Sequence, residues 1–304
     1  MTRPRRRSWS LLAVLVAGLI VVSACTSESD AAAQHQQTTT TEQTTSTTTT
    51  TAPSPEPSQP SSPTTTTAPD PFARPDGLGT RPLPLRPDGL GEIRATPPDL
   101  VDRRFASPRE LPPPPDDGFH HTNTPVPDDV LARSTWRPEC PVGLGDLRYL
   151  TVSYWGFDGR HYTGELIVNA SVADDVVGVF ARLHEVRFPI EELRVTRADE
   201  LDAAPTGDGN LSGGFVCRDA ALSDDWSEHA RGLAVDINPF HNPFVRGDAV
   251  IPELASAYLD RGNLRPGMIM PGDVVTRAFA DIGWGWGGNW RNSKDWMHFS
   301  ASGR

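Results

Sequence analysis

Short runs of apolar residues, separated by polar turns, occupy the middle of the chain. Residues 147–157 are rich in β-branched and aromatic side chains, as are residues 162–168. Between the two runs stands Asp158-Gly159, a dipeptide typical of tight turns. This pattern predicts two antiparallel strands joined as a β-hairpin.

The next stretch changes to a helical spacing of apolar positions. Those positions are Val172, Val176, Val179, Phe180 and Leu183. Ser171 precedes them as a candidate N-cap, Asp174 suits the positive end of a helix, and Pro189 follows the stop. The sequence therefore predicts an amphipathic helix directly after the hairpin.

Two further elements complete the pattern. Residues 193–196 predict a short strand, and residues 273–282 predict a second helix that Gly283 terminates. Because strands and helices do not alternate regularly, a doubly wound parallel sheet is disfavoured. We expect an α+β fold in which an antiparallel sheet is flanked by helices.

The N-terminus carries the pattern of an export signal. A basic segment, residues 3–7, precedes an apolar run over residues 11–22 that is too short to span a membrane comfortably. The small residues before Cys25 resemble a bacterial lipobox, which predicts a lipoprotein signal peptide over residues 1–24 and lipidation of Cys25. An ordinary signal peptide with an incidental Cys25 is the alternative, and Sec and twin-arginine export both stay open.

Composition divides the rest of the chain. Residues 25–70 are dominated by Thr, Ser and Pro with few large apolar groups, so we expect a long disordered tether. Residues 71–127 stay rich in Pro and Gly and contain Arg-Pro-Asp-Gly-Leu-Gly twice, from Arg74 and from Arg86. Two copies do not make a repeat fold, and we interpret this segment as a spacer. The folded domain is expected over residues 128–304.

Charge and cysteine content narrow the classes of partner and compartment. The formal net charge of -11 over 304 residues argues against nucleic acid as a partner. If Cys25 is lipidated, Cys140 and Cys217 remain, and export would place them where disulfides persist. We expect these two to form a disulfide, with two separate buried thiols as the alternative. The protein is expected to be a monomer.

Candidate metal chemistry lies in two separate segments. His229 and Asp236 stand in the first, and Asp295 and His298 stand in the second. Catalytic zinc takes three N or O ligands from the protein and leaves a position for water, and a nearby carboxylate can accept the proton of that water. The spacing of seven between His229 and Asp236 would place them on opposite faces of one strand, so we expect a turn at Gly232.

The ordered motif resembles a known family. Ser-x-His-x-x-Gly-x-Ala-x-Asp, followed by Asp-x-x-His, is similar to the zinc D-Ala-D-Ala carboxypeptidases, which include VanY-like and L-alanyl-D-glutamate peptidases. The resemblance covers about residues 145–304 and extends to residues 215–218, 236–239 and 282–288. It implies a hedgehog/DD-peptidase-like fold. Arg231 stands where the family commonly has an aromatic residue, and the tail after His298 is short.

The resemblance also implies roles for individual residues. By analogy His229, Asp236 and His298 bind one Zn²⁺, and Asp295 is the general base. Arg218 matches the arginine that anchors substrate or stabilises the oxyanion, with a structural salt bridge as the alternative. Ser227 is expected to hydrogen-bond around the site and to contribute to substrate binding.

The other aromatic and histidine side chains carry weaker expectations. Four tryptophans either line a cleft or pack in the core, and the sequence favours neither interpretation: Trp284, Trp286, Trp290 and Trp296. Three histidines, His161, His184 and His241, have no matching partners in the motif and are expected to be ordinary surface or core residues.

Together these features predict an exported, extracytoplasmic zinc metallopeptidase, anchored to the membrane of the bacterial cell envelope through Cys25. The expected substrates are the stem peptides of peptidoglycan, and the expected activity is that of a D-alanyl-D-alanine carboxypeptidase. One alternative is an L-alanyl-D-glutamate-type or other peptidoglycan endopeptidase. Another is a non-catalytic zinc module that binds the wall.

Overall fold

The computed structural model describes residues 70–221, 223 and 225–304, and all of these belong to one unit, Thr65–Arg304. The helices in these ranges are α1 (Asp128–Arg133), α2 (Ala173–Glu185) and α3 (Val274–Asp281). The strands are β1 (His121–Pro125), β2 (Leu147–Trp155), β3 (His161–Asn169), β4 (Glu192–Leu193), β5 (Leu211–Ser212), β6 (Ala234–Asp236), β7 (Phe244–Arg246), β8 (Ala249–Ile251), β9 (Gly285–Trp286), β10 (Lys294–Asp295) and β11 (His298–Ser300).

The predicted hairpin is the longest regular feature of the fold. Strands β2 and β3 pair antiparallel from Leu147 opposite Asn169 to Trp155 opposite His161, and β1 adds to the other side of β2. The connecting turn includes Gly159 at φ 69°, a backbone conformation that suits glycine. The sheet shares one hydrophobic cluster with α2 and α3, which pack the core.

Helix α2 has the apolar face that the spacing predicts, but its start differs. Val176, Val179, Phe180 and Leu183 are all buried. Ser171 does not cap the helix, whose N-cap position is Val172. The side chain of Asn169 instead accepts the backbone N–H of Ser171 and caps a short 3-10 turn, Ala170–Val172, ahead of the helix. Asn and Ser are about equally good N-cap residues, so the local backbone geometry decides which of the two caps the turn.

The remaining strands form small sheets in a mixed α+β arrangement. Strand β11 lies between β6 and β9, and β7 lies between β10 and β8, all antiparallel. The strand predicted over residues 193–196 covers only Glu192–Leu193 and pairs in parallel with β5. Helix α3 begins after Asp273, whose side chain accepts the Thr276 N–H, and Gly283 follows its end at φ 80°.

The expected disulfide between Cys140 and Cys217 is present in the structure. Cys217 is fully buried, and both half-cystines belong to a cluster that also holds Leu147 and Phe215. Closing a loop of 77 residues stabilises a fold by about 4 kcal/mol in the chain-entropy model. The bond therefore ties the segment before β2 to the segment that leads into His229.

The spacer predicted over residues 71–127 needs correction, because its backbone packs on the domain. Leu100 and Phe105 share a cluster with Phe240 and Tyr258. Arg103 is 2% exposed and makes two hydrogen bonds to the carboxylate of Glu191, each 2.7 Å long. Residues 70–107, which we call the N-terminal arm, are part of the folded unit.

Both Arg-Pro-Asp-Gly-Leu-Gly copies lie in this arm and dock in the same way. In each copy the first residue, an arginine, reaches an acidic side chain of the domain, and the last glycine donates its N–H to a buried carboxylate. The contacts are Arg74 to Glu191 at 3.2 Å, Gly79 to Asp208 at 2.9 Å, Arg86 to Asp248 at 2.9 Å and Gly91 to Glu253 at 2.7 Å. The repeated motif is therefore an intramolecular docking element.

Several predictions fall on other parts of the chain. The signal peptide over residues 1–24, Cys25 and the tether up to residue 69 lie outside the described residues. Among the described residues, no helix combines the length and the apolar character that crossing a membrane requires.

Candidate metal centre

His229 reaches the centre from a tight turn. The 3-10 turn Glu228–Arg231 starts at Ser227, whose hydroxyl accepts the His229 N–H at 3.3 Å, and ends at Gly232 with φ 68°. A Cβ at Gly232 would lie 2.6 Å from the backbone nitrogen of Asn169, so glycine is required on both counts. Because of this turn, His229 and Asp236 can face the same point although seven positions separate them.

Asp236 and His298 come together through strand pairing. Strands β6 and β11 are antiparallel with Asp236 directly opposite His298, followed by Val235 opposite Phe299. Opposite residues in a pair point to the same face of the sheet. Asp236 and His298, which are 62 positions apart in the sequence, are therefore neighbours because of the register of the two strands. The adjacent pair, Val235 and Phe299, points into the core.

The three side chains offer ligand atoms that converge. His229 Nε2 lies 3.2 Å from Asp236 Oδ2 and 3.2 Å from His298 Nδ1, and His298 Nδ1 lies 3.1 Å from Asp236 Oδ1. One ligand atom from each residue can be chosen so that all lie within 4.8 Å of one another. Two ligands about 2.1 Å from a tetrahedral zinc are about 3.4 Å apart, so the donor set fits that ion.

The hydrogen bonds of the two imidazoles fix which nitrogen faces the centre. His229 Nδ1–H donates to the carbonyl of Gly214 at 2.6 Å, and His298 Nε2–H donates to the carbonyl of Arg304 at 3.1 Å. Carbonyls only accept, so in the neutral rings the remaining nitrogens carry lone pairs toward the centre. Metal-binding histidines usually show this arrangement.

Asp295 supplies a carboxylate whose inner oxygen is buried. The residue lies in β10, opposite Phe244 of β7. Within the described part of the chain, Asp295 Oδ1 is inaccessible to solvent and has no hydrogen-bond partner. Burial, together with the Asp236 charge, raises the pKa of Asp295 to about 7, while His298 and Arg218 act in the opposite direction. A buried carboxylate without a partner is costly and marks a functional position.

The pKa values of Asp236 and His298 shift in opposite directions. Burial alone would raise the pKa of Asp236, but the charge of His229 and the hydrogen bonds from both imidazoles hold it well below its usual range. Burial disfavours the His298 cation, yet the hydrogen bond and charge of Asp236 raise the pKa of His298 to about 9. Asp236 therefore stays ionised, as a ligand must.

Arg218 and Ser227 border the centre on the loop that leads to His229. The Arg218 guanidinium donates to the carbonyl of Asp219 at 3.0 Å, and its charge acts on Asp295. Ser227 uses its hydroxyl to cap the turn at His229, and its N–H donates to the Arg218 carbonyl at 3.2 Å. Ser227 thus orients the turn that carries His229, and the charge of Arg218 acts on Asp295.

Three of the four tryptophans belong to the core, and one contacts the candidate metal centre. Trp284 and Trp286 are buried in the main core, and Trp296 packs partly buried against it. Trp290 instead contacts His298, with ring centroids 5.5 Å apart, and its indole N–H donates to the Gly303 carbonyl at 2.8 Å. The alternative of a cleft lined by all four is therefore wrong.

Sequence reasoning missed the backbone groups that orient the imidazoles. The carbonyls of Gly214 and Arg304 can come from any residue type, so side-chain patterns do not reveal them. One signal exists for the first: a Cβ at Gly214 would lie 2.5 Å from the Ile167 carbonyl oxygen, which makes glycine obligatory there. The segment after His298 folds back to supply the second.

Comparison with known proteins agrees with this geometry. Residues 221–301 match a protein-family model described as D-alanyl-D-alanine carboxypeptidase. The match spans His229, Asp236, Asp295 and His298, and it begins after Arg218. Proteins of this family are typically zinc-dependent. No curated protein and no solved structure matches the chain. The match supports a peptidase acting on peptidoglycan-type substrates and does not distinguish subtypes within the family.

Proposed function

We propose that this protein is a zinc-dependent peptidase that hydrolyses the stem peptides of peptidoglycan as a D-alanyl-D-alanine carboxypeptidase. Two independent lines support the proposal. The first is the convergence of His229, Asp236 and His298 from separate segments, and the second is the family match over residues 221–301.

One observation carries the proposal further than metal binding. Asp295 Oδ1 is buried without a hydrogen-bond partner in the described residues, and its carboxylate interacts electrostatically with His298 and Asp236. A purely structural metal site needs no such group, because its coordination is closed. A hydrolytic site does need one, since a base must accept the proton of the attacking water.

The contacts suggest a role for each residue of the site. His229, Asp236 and His298 would hold the ion, and the carbonyls of Gly214 and Arg304 keep the two rings oriented. Zinc, when bound, supplies a Lewis acid that polarises the scissile carbonyl and brings the pKa of water to about 7. The Asp295 carboxylate accepts the proton from water and delivers it to the amine that leaves.

Arg218 is the candidate for recognising the substrate. Its guanidinium lies on the loop that enters the centre and acts on Asp295. A guanidinium binds a carboxylate with two parallel hydrogen bonds, which suits the terminal carboxylate of a peptide substrate. This property favours removal of the last residue over internal cleavage. Ser227 supports the same loop rather than the substrate in this scheme.

The proposed location rests on the sequence. An export signal over residues 1–24, a lipid on Cys25 and a tether over residues 25–70 would place the peptidase outside the cytoplasm and attached to a membrane. That location would bring it to its proposed substrate. We also propose that the α+β fold is of the hedgehog/DD-peptidase type.

Purified muropeptides provide the test. The full chain, incubated with pentapeptide stems with and without a chelator, should release the terminal D-alanine only when metal is present, as measured by mass spectrometry. Products cut inside the stem would favour the endopeptidase alternative. A zinc-loaded protein that binds wall fragments and leaves every stem intact would contradict hydrolysis and favour the wall-binding module.

A further inference from the structure

Four of the eight histidines of the chain lie in contact with one another or with shared neighbours, outside the candidate metal centre. They are His120, His121, His161 and His184. Phe119 contacts both His121 and His184, and Asp116 contacts both His120 and His161. The proposed peptidase mechanism uses none of them.

Two of these imidazoles meet nitrogen to nitrogen. His161 is the first residue of β3, and His184 lies in the last turn of α2. Their Nε2 atoms are 2.5 Å apart, and the ring centroids are 4.7 Å apart at 43°. A neutral hydrogen bond to a ring nitrogen is ordinarily about 2.9 Å long, so the two atoms are held toward a common point.

The tautomer of His161 is set by a backbone group. Its Nδ1 lies 2.9 Å from the carbonyl of Asp116, which can only accept, so Nδ1 carries the proton. In the neutral ring Nε2 then presents a lone pair to His184. His229 and His298 are oriented toward the candidate metal centre by carbonyls in the same way.

The surroundings hold both rings in place. Trp155 stacks on His161 with centroids 4.4 Å apart, and its indole N–H donates to the His184 carbonyl at 3.1 Å. His184 is 9% exposed. Burial, with the charges of His161, Arg187 and His120, lowers the pKa of His184, while Asp117 opposes the shift. Neutral imidazoles that packing has already oriented are the form that binds a transition metal.

We propose that His161 and His184 form a second metal site, selective for divalent ions that prefer imidazole, such as Zn²⁺, Ni²⁺ or Co²⁺. Two such nitrogens on a tetrahedral ion are about 3.4 Å apart, so the rings need to separate by somewhat under 1 Å. Water completes the coordination, and the charges of Arg187 and Asp117 act on a cation near His184 in opposite directions. The ion would join the start of β3 to the end of α2.

The site can be tested by counting ions. Full-length protein without a histidine tag is stripped of metal and titrated with Ni²⁺ by calorimetry, alone and as His298→Ala, which removes the candidate metal centre. The informative substitution is His161→Phe, because phenylalanine preserves the stacking on Trp155 and removes the nitrogen. His121→Phe is the matched control, since His121 is exposed and its ring contacts only Phe119 among the ring contacts described.

The expected stoichiometries are two ions for the native chain and for His121→Phe, and one for either His298→Ala or His161→Phe. The variant that combines His298→Ala with His161→Phe should bind none. Ni²⁺ should also raise the melting temperature of His298→Ala and leave the double variant unchanged. If His298→Ala binds no ion, or if His161→Phe loses nothing relative to the native chain, the two imidazoles share only a proton and the proposal is wrong. If the candidate metal centre binds no ion, His298→Ala should instead bind as many ions as the native chain, and that result would contradict the peptidase proposal and not this one.

Discussion

At the scale of single residues, the candidate metal centre is built from groups whose second polar atom is already engaged. His229 and His298 each donate one ring N–H to a backbone carbonyl, and the Asp236 carboxylate lies 3.1–3.2 Å from the other nitrogen of both rings. Asp295 is the exception, since one of its oxygens has no partner in the described residues. This contrast separates the three ligands from the base before any ion is considered.

The contrast predicts that the base can be removed without the metal. Asp295→Asn keeps the shape of the side chain but removes its basicity, so hydrolysis of stem peptides should fall by about 10²–10⁴-fold. Zinc content, measured by mass spectrometry of the metal, should stay equal to that of the native chain. Asp281→Asn, at the exposed end of α3, is the matched control and should retain both. Full activity in Asp295→Asn would exclude the proposed base.

Substitution of a ligand should have the opposite signature. Asp236→Ala removes the carboxylate that contacts both imidazoles at 3.1–3.2 Å. We expect loss of the ion at the candidate metal centre together with activity, because two imidazoles alone do not make a catalytic zinc site. Equilibrium dialysis against zinc measures this directly. A zinc content in Asp236→Ala equal to that of the native chain would show that Asp236 is not a ligand.

At the scale of elements, the sequence predicted what depends on local pattern. The hairpin, α2, α3 and the turn at Gly232 follow from apolar spacing and from turn residues, and each is present. The pairing of β6 with β11 and of β7 with β10 was not predictable from spacing, because strands of two or three residues carry almost no pattern. Those pairings place His298 opposite Asp236 and hold Asp295 beside them.

A buried carboxylate in β3 was also missed. Glu165 is 1% exposed, receives two hydrogen bonds of 2.6 Å from the Arg133 guanidinium, and accepts the Tyr149 hydroxyl at 2.5 Å. From the sequence alone Glu165 is a polar residue within a strand, and its partner Arg133 lies 32 positions away in α1. Long-range partners of this kind leave no local signal.

This network predicts a specific dependence of stability on pH. Burial opposes ionisation, but the hydrogen bonds from Arg133 and Tyr149 lower the pKa of Glu165. A lowered pKa contributes stability above the unfolded value of about 4.3 and loses it as pH falls through the folded value. Glu165→Gln should therefore cost about 1–3 kcal/mol at pH 7, and this difference should shrink below about pH 4.

Urea denaturation of both proteins between pH 7 and pH 3 measures that difference. Glu185→Gln, an exposed acid at the end of α2, should follow the native curve throughout. A constant offset between native protein and Glu165→Gln across the whole range would show that ionisation of Glu165 contributes nothing.

At the scale of the whole folded unit, the N-terminal arm is the main difference between expectation and structure. Its composition, rich in Pro and Gly, is typical of a spacer, and α-helices or long strands are indeed absent from its described residues, 70–107. Its stability comes instead from isolated long-range contacts: Arg103 with Glu191, and the two repeats with their carboxylates. Composition reports how a segment folds alone, and this arm folds on a surface.

Arg103 offers the sharpest single test of that docking. Removing one partner of a buried ion pair costs about 3–5 kcal/mol, and Glu191, which is fully buried, would keep among the described residues only the partly exposed Arg74 at 3.2 Å as a charged partner. Arg103→Leu should therefore lower the free energy of unfolding by about that amount, as measured in urea. Arg104→Leu, the exposed neighbour, should change it by less than about 0.5 kcal/mol.

Deleting the arm extends the same argument to the intact molecule. A chain that begins at residue 108 loses the Arg103 partner of Glu191 and uncovers Phe240 and Tyr258, which are fully buried in the native unit. Since single domains are stable by only about 5–15 kcal/mol, we expect this chain to lose cooperative unfolding and zinc binding together, whereas a chain that begins at residue 70 keeps both. Urea titration followed by circular dichroism, with zinc stoichiometry on the same samples, distinguishes the two. Equal midpoints for the two chains would show that the arm only lies on the domain, and the docking of the repeated motif would then contribute nothing to the fold that holds the candidate metal centre.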